Sequence, residues 1–251
     1  MLSSIVIPAF QKVDLLHECL ERLHNQTCTD FEVVVVSDGC AEVEKFITDY
    51  DAPFELRSYN TNYEGFGVAL SCNLGIYEAK GEQIIIIGPD CLVHPEFVKL
   101  HQKYFDYGLL LVGDIISVEL DDFGCEEVIM PEIRDIFYHK DEHTELESLE
   151  FGLGIEYLVF SGNISFPKSD AYRIGGFDVR NFLGQGGSDT DFARRWLLYY
   201  GRLKFIRNSV NHVGIMSNIY GSVRSKSEWP RDRLGELSNR KDAIVTFVWE
   251  V

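Results

Sequence analysis

The chain reads as an α/β protein built on a doubly wound, mostly parallel sheet. Three observations lead there. Short β-branched runs alternate with stretches whose apolar residues recur at helical spacing. Gln83–Ile87 carries four isoleucines in a row, as expected of a strand buried on both faces. The early runs also end in turn-forming clusters, Pro8-Ala9-Phe10, Ser37-Asp38-Gly39 and Gly88-Pro89-Asp90.

The elements follow in order. Ser3–Ile7 is a strand, and Val13–Leu23 a helix with Leu15, Leu16, Cys19, Leu20 and Leu23 on one side. Glu32–Val36 and Phe54–Tyr59 are the next strands. Phe66–Ala79 is a helix ended by Gly81. After the isoleucine strand, Pro95–Phe105 is a helix with Pro95 in its first turn. Leu109–Val112 and Ile115–Leu120 are further strands. The apolar tail Ala243–Val251 is strand-like and can pair with the sheet edge or with another subunit. In such sheets ligands bind beyond the carboxyl ends of the strands, so the three turn clusters should converge on one crevice.

Length and composition narrow the function. A chain of 251 residues with 45% hydrophobic content can bury one large core. No apolar run reaches the roughly 18 residues that span a bilayer, and the N-terminus lacks the basic region of a signal peptide. The six scattered cysteines, with no Cys-x-x-Cys pair, read as reduced thiols of a cytoplasmic protein. Peripheral contact with the inner membrane face is compatible with this. The net charge of −17 argues against nucleic acid as a partner. The charge is unevenly spread: Glu119–Glu150 holds twelve acids and two bases, whereas Arg194–Lys241 holds eleven bases and three acids. Phe123–Tyr157 and Ile219–Arg233 lose all periodicity and read as recognition loops or lids.

The richest stretch is Ser161–Trp196. It joins a Gly-Gly-Phe-Asp turn to a Gly-rich turn ending in Asp189 and Asp191, and a helix follows with Phe192, Trp196 and Leu197 on its apolar side. From the residues alone Asp189 is either a general base on a rigid turn or a helix cap. Asp178 reads as a brace for its turn, and Asp191 as either brace or substrate contact.

Five motifs occur in order: SIVIPAF, VVVVSDG, the run from Asn62 to Ile76, AKGEQIIIIGPD, and GGFD…GGSDTDFARR. Together they resemble the inverting glycosyltransferases of family 2, with a GT-A fold, over roughly residues 3–215. The latter half is similar to the galactosyltransferase-type C-terminal motif. The resemblance implies one GT-A domain over 1–251, with a nucleotide-sugar half at 1–115, an acceptor half at 116–218 and a C-terminal extension. It implies transfer of a hexose or N-acetylhexosamine from a UDP-sugar to a hydroxyl of a glycan, glycolipid or glycoprotein.

The same resemblance assigns roles. Pro8, Ala9 and Phe10 would edge the nucleotide pocket, and Asp38 would accept from the uracil N3–H. Gly65, Gly67, Asn73 and Pro89 would line the donor. Asp90 matches the last acid of an Asp-x-Asp motif that holds Mn²⁺ or Mg²⁺ on the diphosphate, and His212 a further metal ligand. Gly186 and Gly187 would leave room for the sugar, and Asp189 matches the catalytic base. Independently of the resemblance, the basic C-terminal stretch suggests a lid in which Arg224, Lys226 or Arg231 closes over the diphosphate.

Three positions depart from the pattern. Gly88 replaces the first acid of Asp-x-Asp. Ser71-Cys72-Asn73 stands for Ala-Arg-Asn. Gln185 and Ser188 replace a Trp and a Glu beside Asp189; losing that acid is expected to lower the Asp189 pKa. These departures leave a second reading, a degenerate module that binds a nucleotide or glycan without catalysis. A homo-oligomer is compatible with either.

Overall fold

The computed structural model describes residues 2–63, 65–120, 126–128, 159, 161–183, 186–213 and 244–248, with the backbone alone at 114, 116–120, 126–128, 207–213 and 244–248. The strands are β1 (Ser3–Ala9), β2 (Phe31–Ser37), β3 (Glu55–Asn60), β4 (Gln83–Ile87), β5 (Cys91–Val93), β6 (Leu110–Leu120), β7 (Glu126–Val128), β8 (Asn163–Pro167), β9 (Arg202–Val213) and β10 (Ile244–Val248). The helices are α1 (Val13–His24), α2 (Ala41–Asp49), α3 (Val68–Glu78), α4 (Phe97–Lys103), α5 (Lys168–Arg173), α6 (Val179–Phe182) and α7 (Ser188–Tyr199).

One sheet runs in the order β10-β9-β6-β8-β4-β1-β2-β3, with β5 also on β9 and β7 on β6. Strands β1 to β4 are mutually parallel where they pair. β8 is antiparallel to both β4 and β6, and β6, β9 and β10 are parallel again. The mostly parallel, doubly wound sheet predicted from the sequence is therefore present, with β8 antiparallel at its centre and the short β5 and β7 antiparallel to β9 and β6.

The isoleucine strand divides the core as expected of a strand covered on both sides. Ile84 and Ile86 face α3, α5 and α7, where they join Val6, Ile76, Phe166, Phe192 and Trp196. Ile85 and Ile87 face α1, α2 and α4, among Ile5, Leu16, Leu20, Val33 and Phe97. Phe192, Trp196 and Leu197 of α7 are fully buried, so the apolar side read from the sequence is the packed one.

The differences from the sequence reading have local causes. The Leu109–Val112 and Ile115–Leu120 strands are one strand, β6, whose register against β9 shifts between Gly113 and Ile115. Helix α2 was missed because its buried residues, Val43 and Ile47, amount to one narrow stripe. The tail forms β10 on the sheet edge, pairing Ile244–Val248 with Arg202–Ile206. Among the described residues no helix is long and apolar enough to cross a membrane.

Candidate active site

The chain runs outward from β1 to β3 and then returns to β4 on the other side of β1, so the strand order reverses between β1 and β4. The two strands also part there. β1 pairs with β4 only from Ser3 to Val6, but with β2 as far as Ala9. Pro8, which has no N–H to give, lies in this parted segment. Such a reversal is where an open α/β sheet leaves its ligand crevice.

Two acids, Asp38 and Asp90, lie at the strand ends beside this opening, and a third, Asp189, lies at the start of α7. Asp38 follows β2, and its N–H donates to Ala9 O at 3.1 Å, which ties the ends of β1 and β2 together. Its side chain is 1% exposed. Asp38 Oδ2 accepts from the Gly67 N–H at 2.9 Å, and Oδ1 accepts from the Ser71 hydroxyl. Burial raises its pKa, and these donors with Thr61 only partly offset the rise. Asp38 thus anchors the first turn of α3. Gly65 and Gly67 lie against the Tyr63 ring, and a Cβ at Gly67 would come 2.9 Å from it.

Asp90 lies on the turn between β4 and β5, which is closed by Cys91 N donating to Gly88 O at 3.2 Å. A Cβ at position 88 would meet Asp90 Oδ1 at 2.5 Å. The carboxylate folds over Gly88 into the space that the missing first acid would fill, and Pro89 forms the half-buried corner of the turn. Lys12 Nζ donates to Asp90 Oδ2 at 2.7 Å. Phe10 is half-buried beside the same opening, at the end of β1.

Asp189 is in the first turn of α7, whose N-cap is Gly187 at φ 97°, a conformation only glycine takes without penalty. The N-cap position is Gly187, so Asp189, two residues on, lies within the first turn. Its Oδ1 accepts from the Thr190 N–H at 2.8 Å and its Oδ2 from the Ser161 N–H at 3.4 Å. Among the described residues, a Cβ at Gly186 would touch nothing within 4 Å. The predicted fall in the Asp189 pKa is corrected: burial of the carboxyl raises it, and the N–H groups of Thr190, Ser161 and Asp189 itself hold back only part of the rise. Losing a neighbouring acid removes one repulsion, but desolvation is the larger effect here.

Two links join these acids. The buried Cys72 thiol of α3 is pushed up by its burial and then by the fields of Asp38 and Asp189 together. Cys91, next to Asp90, directs Sγ to Gly162 O at 3.5 Å, and the neighbouring Ser161 N–H is the one held by Asp189.

Other expected residues are placed elsewhere or only in part. Asn73 spends both ends of its amide on Phe177, donating to its carbonyl and accepting from its N–H, each at 2.8 Å. Its observed work is to clamp the GGFD turn onto α3. Asp178 caps α6 by accepting from Arg180 and Asn181 N–H, as a brace should. Asp191 pairs with Arg195 Nε at 2.8 Å, and Arg195 Nη1 donates to the Ile174 and Gly176 carbonyls, so Asp191 also braces. His212 is opposite Cys91 in the β5–β9 register, one residue from Asp90. Arg224, Lys226 and Arg231, with the Phe123–Tyr157 and Ile219–Arg233 loops, lie outside the described residues. Lys12 and Ser161 were not anticipated. Lys12 carried a faint signal, a base close after the Pro8 cluster; Ser161 N–H is a backbone group and carried none.

The donor set bears on a metal. Among the described residues no three His, Cys, Asp or Glu side chains converge on one point. Asp90 alone suits Mg²⁺ or Mn²⁺ only if the ion completes its shell with substrate phosphates and water, which is how Mg²⁺ is commonly held. The residues fit a cation that arrives with the nucleotide.

Comparison with known proteins agrees with this frame. The family described as glycosyl transferase family 2 matches residues 4–156, and the family described as N-terminal domain of galactosyltransferase matches residues 142–220. The chondroitin synthase of Escherichia coli is 25% identical over 217 residues, covering 76% of this chain and 32% of that protein. The EpsH protein of Bacillus subtilis (strain 168) is 30% identical over 226 residues, covering 89% of this chain and 64% of that one. The chain therefore spans about a third to two thirds of the length of these curated relatives. Among solved structures, S. aureus TarS 1–349 in complex with UDP-GlcNAc superposes with TM-score 0.61 at 16% identity, covering 89% of this chain and 62% of that one. The mannosyltransferase PcManGT from Pyrobaculum calidifontis, in complex with GDP-Man and Mn²⁺, superposes with TM-score 0.57 at 16% identity, covering 85% and 56%. These likenesses establish the GT-A fold. With the family match spanning more than half of its length, the chain belongs to glycosyl transferase family 2.

Proposed function

We propose that the chain transfers a hexose or N-acetylhexosamine from a UDP-sugar to a hydroxyl of a glycan, glycolipid or glycoprotein, with inversion, at the cytoplasmic face of a cell. One observation carries the reading. Asp189 opens a helix on a Gly-rich turn, its carboxyl pKa raised by burial, and it holds the Ser161 N–H beside Gly162, whose carbonyl accepts from Cys91, the neighbour of Asp90. In this reading Asp189 takes the proton of the acceptor hydroxyl. The acceptor oxygen forms its bond to the anomeric carbon while the bond to the diphosphate breaks on the opposite side, which inverts the centre and releases UDP. Asp38, buried and engaged by the Gly67 N–H and the Ser71 hydroxyl, holds in place the Gly65–Gly67 segment, which orients the base and ribose. Asp90, with His212 as a further ligand, would hold a divalent cation at the diphosphate end, where it would supply positive charge to the departing UDP. Arg224 and its neighbours add positive charge over it.

The relative bound to UDP-GlcNAc supports a UDP-sugar donor, and the one bound to Mn²⁺ supports a divalent cation. The test is Asp189→Asn. Transfer to a panel of acceptors from UDP-sugars should fall by about 10²–10⁴-fold, while UDP affinity measured by calorimetry stays near wild type. Undiminished transfer would remove Asp189 as the base. The second reading, a binding module without catalysis, is favoured by Gly88 and by the Lys12 ammonium already on Asp90; it predicts UDP binding with no turnover of any sugar nucleotide by the wild type.

A further inference from the structure

The structure sets Lys12 directly on the carboxylate proposed to hold the cation, with Nζ 2.7 Å from Asp90 Oδ2. Two features mark this pairing as built. Gln11 and Lys12 both take left-handed backbone, at φ 57° and 53°. That conformation is unfavourable for residues with a Cβ and persists only where the surroundings impose it. The turn carries the chain from β1 into α1, where Leu16 N donates to Lys12 O at 3.0 Å, and it brings the lysine across to the end of β4. On the other side, the Asp90 carboxylate is folded over Gly88, in space a side chain there would take. The absent acid, the folded carboxylate and the lysine form one arrangement. Where an Asp-x-Asp pair would offer two negative charges, this turn offers one, and a monovalent cation is already on it.

Resting on the reading of the crevice as a diphospho-sugar site, we propose that Lys12 and the divalent cation are alternative partners of Asp90. In the donor-free protein Lys12 holds the carboxylate. When donor and cation arrive together, Lys12 yields it and turns its ammonium onto the diphosphate. The exposures suit such an exchange: the Lys12 side chain is 48% exposed and that of Asp90 10%, so the lysine can swing on its flexible stem while the carboxylate stays in place. A half-exposed ion pair is weak enough to give way, and an ammonium binds phosphate well as a point charge. Two consequences follow for the ligands taken singly. The cation alone binds poorly, because it must displace Lys12. UDP alone keeps appreciable affinity, because Lys12 supplies positive charge without a metal.

The experiment uses the intact chain as wild type, Lys12→Met, Lys12→Arg and Asp90→Ala. Each is titrated by calorimetry with Mn²⁺ alone, UDP alone, and UDP in the presence of Mn²⁺. Lys12→Met should bind Mn²⁺ alone roughly fivefold more tightly than wild type and bind metal-free UDP at least about fivefold more weakly. Lys12→Arg should stay near wild type in metal-free UDP binding. Unchanged or weaker Mn²⁺ binding by Lys12→Met, or unchanged metal-free UDP binding, overturns the exchange. The Asp90→Ala arm separates this from the parent reading. If wild type shows UDP–Mn²⁺ synergy that Asp90→Ala loses, a silent Lys12→Met counts against the exchange alone. If wild type shows no synergy, the cation site itself fails and takes the exchange with it.

Discussion

At Asp189 opposing influences meet on one carboxyl. Burial penalises its charged form, and the Thr190 and Ser161 N–H groups favour it; burial wins, so the folded pKa lies above the usual aspartate value. Two consequences have definite sign. As a base Asp189 must be ionised, so transfer should fall with decreasing pH along a limb set above the ordinary aspartate range, read from kcat/KM against pH. An acid with a raised folded pKa binds more protons folded than unfolded between its two pKa values. Stability is therefore lost as pH rises through that window and is not recovered above it. Asp189→Asn keeps an oxygen to accept from Thr190 and removes the buried charge. Its melting temperature at pH 7.5 should equal or exceed that of wild type, even as activity disappears. A clear drop in melting temperature would mean that the charge is a structural brace. The same residue shows where sequence reading stops. Its type and its place on a Gly-rich turn were legible. The direction of its pKa shift was not, because adjacent residues such as Ser188 can be counted along the chain whereas desolvation depends on groups distant in sequence, such as Ser161 and Cys72, that the fold brings near it.

At the scale of elements, α4 is locked to the sheet by a polar cluster inside the core. His101 is fully buried; its Nε2 lies 3.0 Å from Asn163 Oδ1 and its Nδ1 2.8 Å from Ser165 Oγ. The Asn163 carbonyl only accepts, so Nε2 carries the proton and Nδ1 accepts from the serine. Gln83 of β4 joins the group by donating to Ser165 Oγ at 3.2 Å and to His101 O at 2.8 Å. Burial lowers the His101 pKa from 6.5 to about 4. The unfolded chain then takes up the proton first as pH falls. The stability tied to neutral His101 is complete above pH 6.5 and is lost progressively down to about 4, a loss of up to about 3 kcal/mol. Thermal melts across that range should show this slope. His101→Phe should flatten it while lowering the melting temperature at pH 7.5, because Asn163 and Ser165 lose a partner. An unaltered slope would place the titration elsewhere. This cluster was invisible in the sequence: β8 was not recognised as a strand, since its NISFP has a polar residue at each inward step and a terminal proline.

For the whole molecule, β9 is the strand on which the far half of the sheet is assembled. It pairs with β6 along its length, with β10 at Arg202–Ile206 and with β5 at Val210–His212. Removing the chain from position 243 onward would bare the β9 backbone, and an unpaired strand edge is a template for association. The shortened chain should self-associate at micromolar concentration by light scattering; a monodisperse product as stable as the full chain would show that β10 contributes little. Much of this architecture was legible beforehand. β1, β2 and β4 could be read because a parallel strand buried on both faces needs an unbroken β-branched run, and α1 because one stripe of leucines repeats at 3.6 residues. The strand-end clusters could be read because turns demand particular residues. Those are local requirements, and they were enough to give the wound sheet and the strand-end turns that carry Asp38 and Asp90. Only the tertiary structure decided that β8 enters antiparallel between β4 and β6, that Asn73 clamps the GGFD turn, and that Lys12 reaches across from β1 to Asp90. Each of these joins residues far apart along the chain. Their pairing follows from which surfaces remain to be buried once the strands have met, and no local pattern of residues records that.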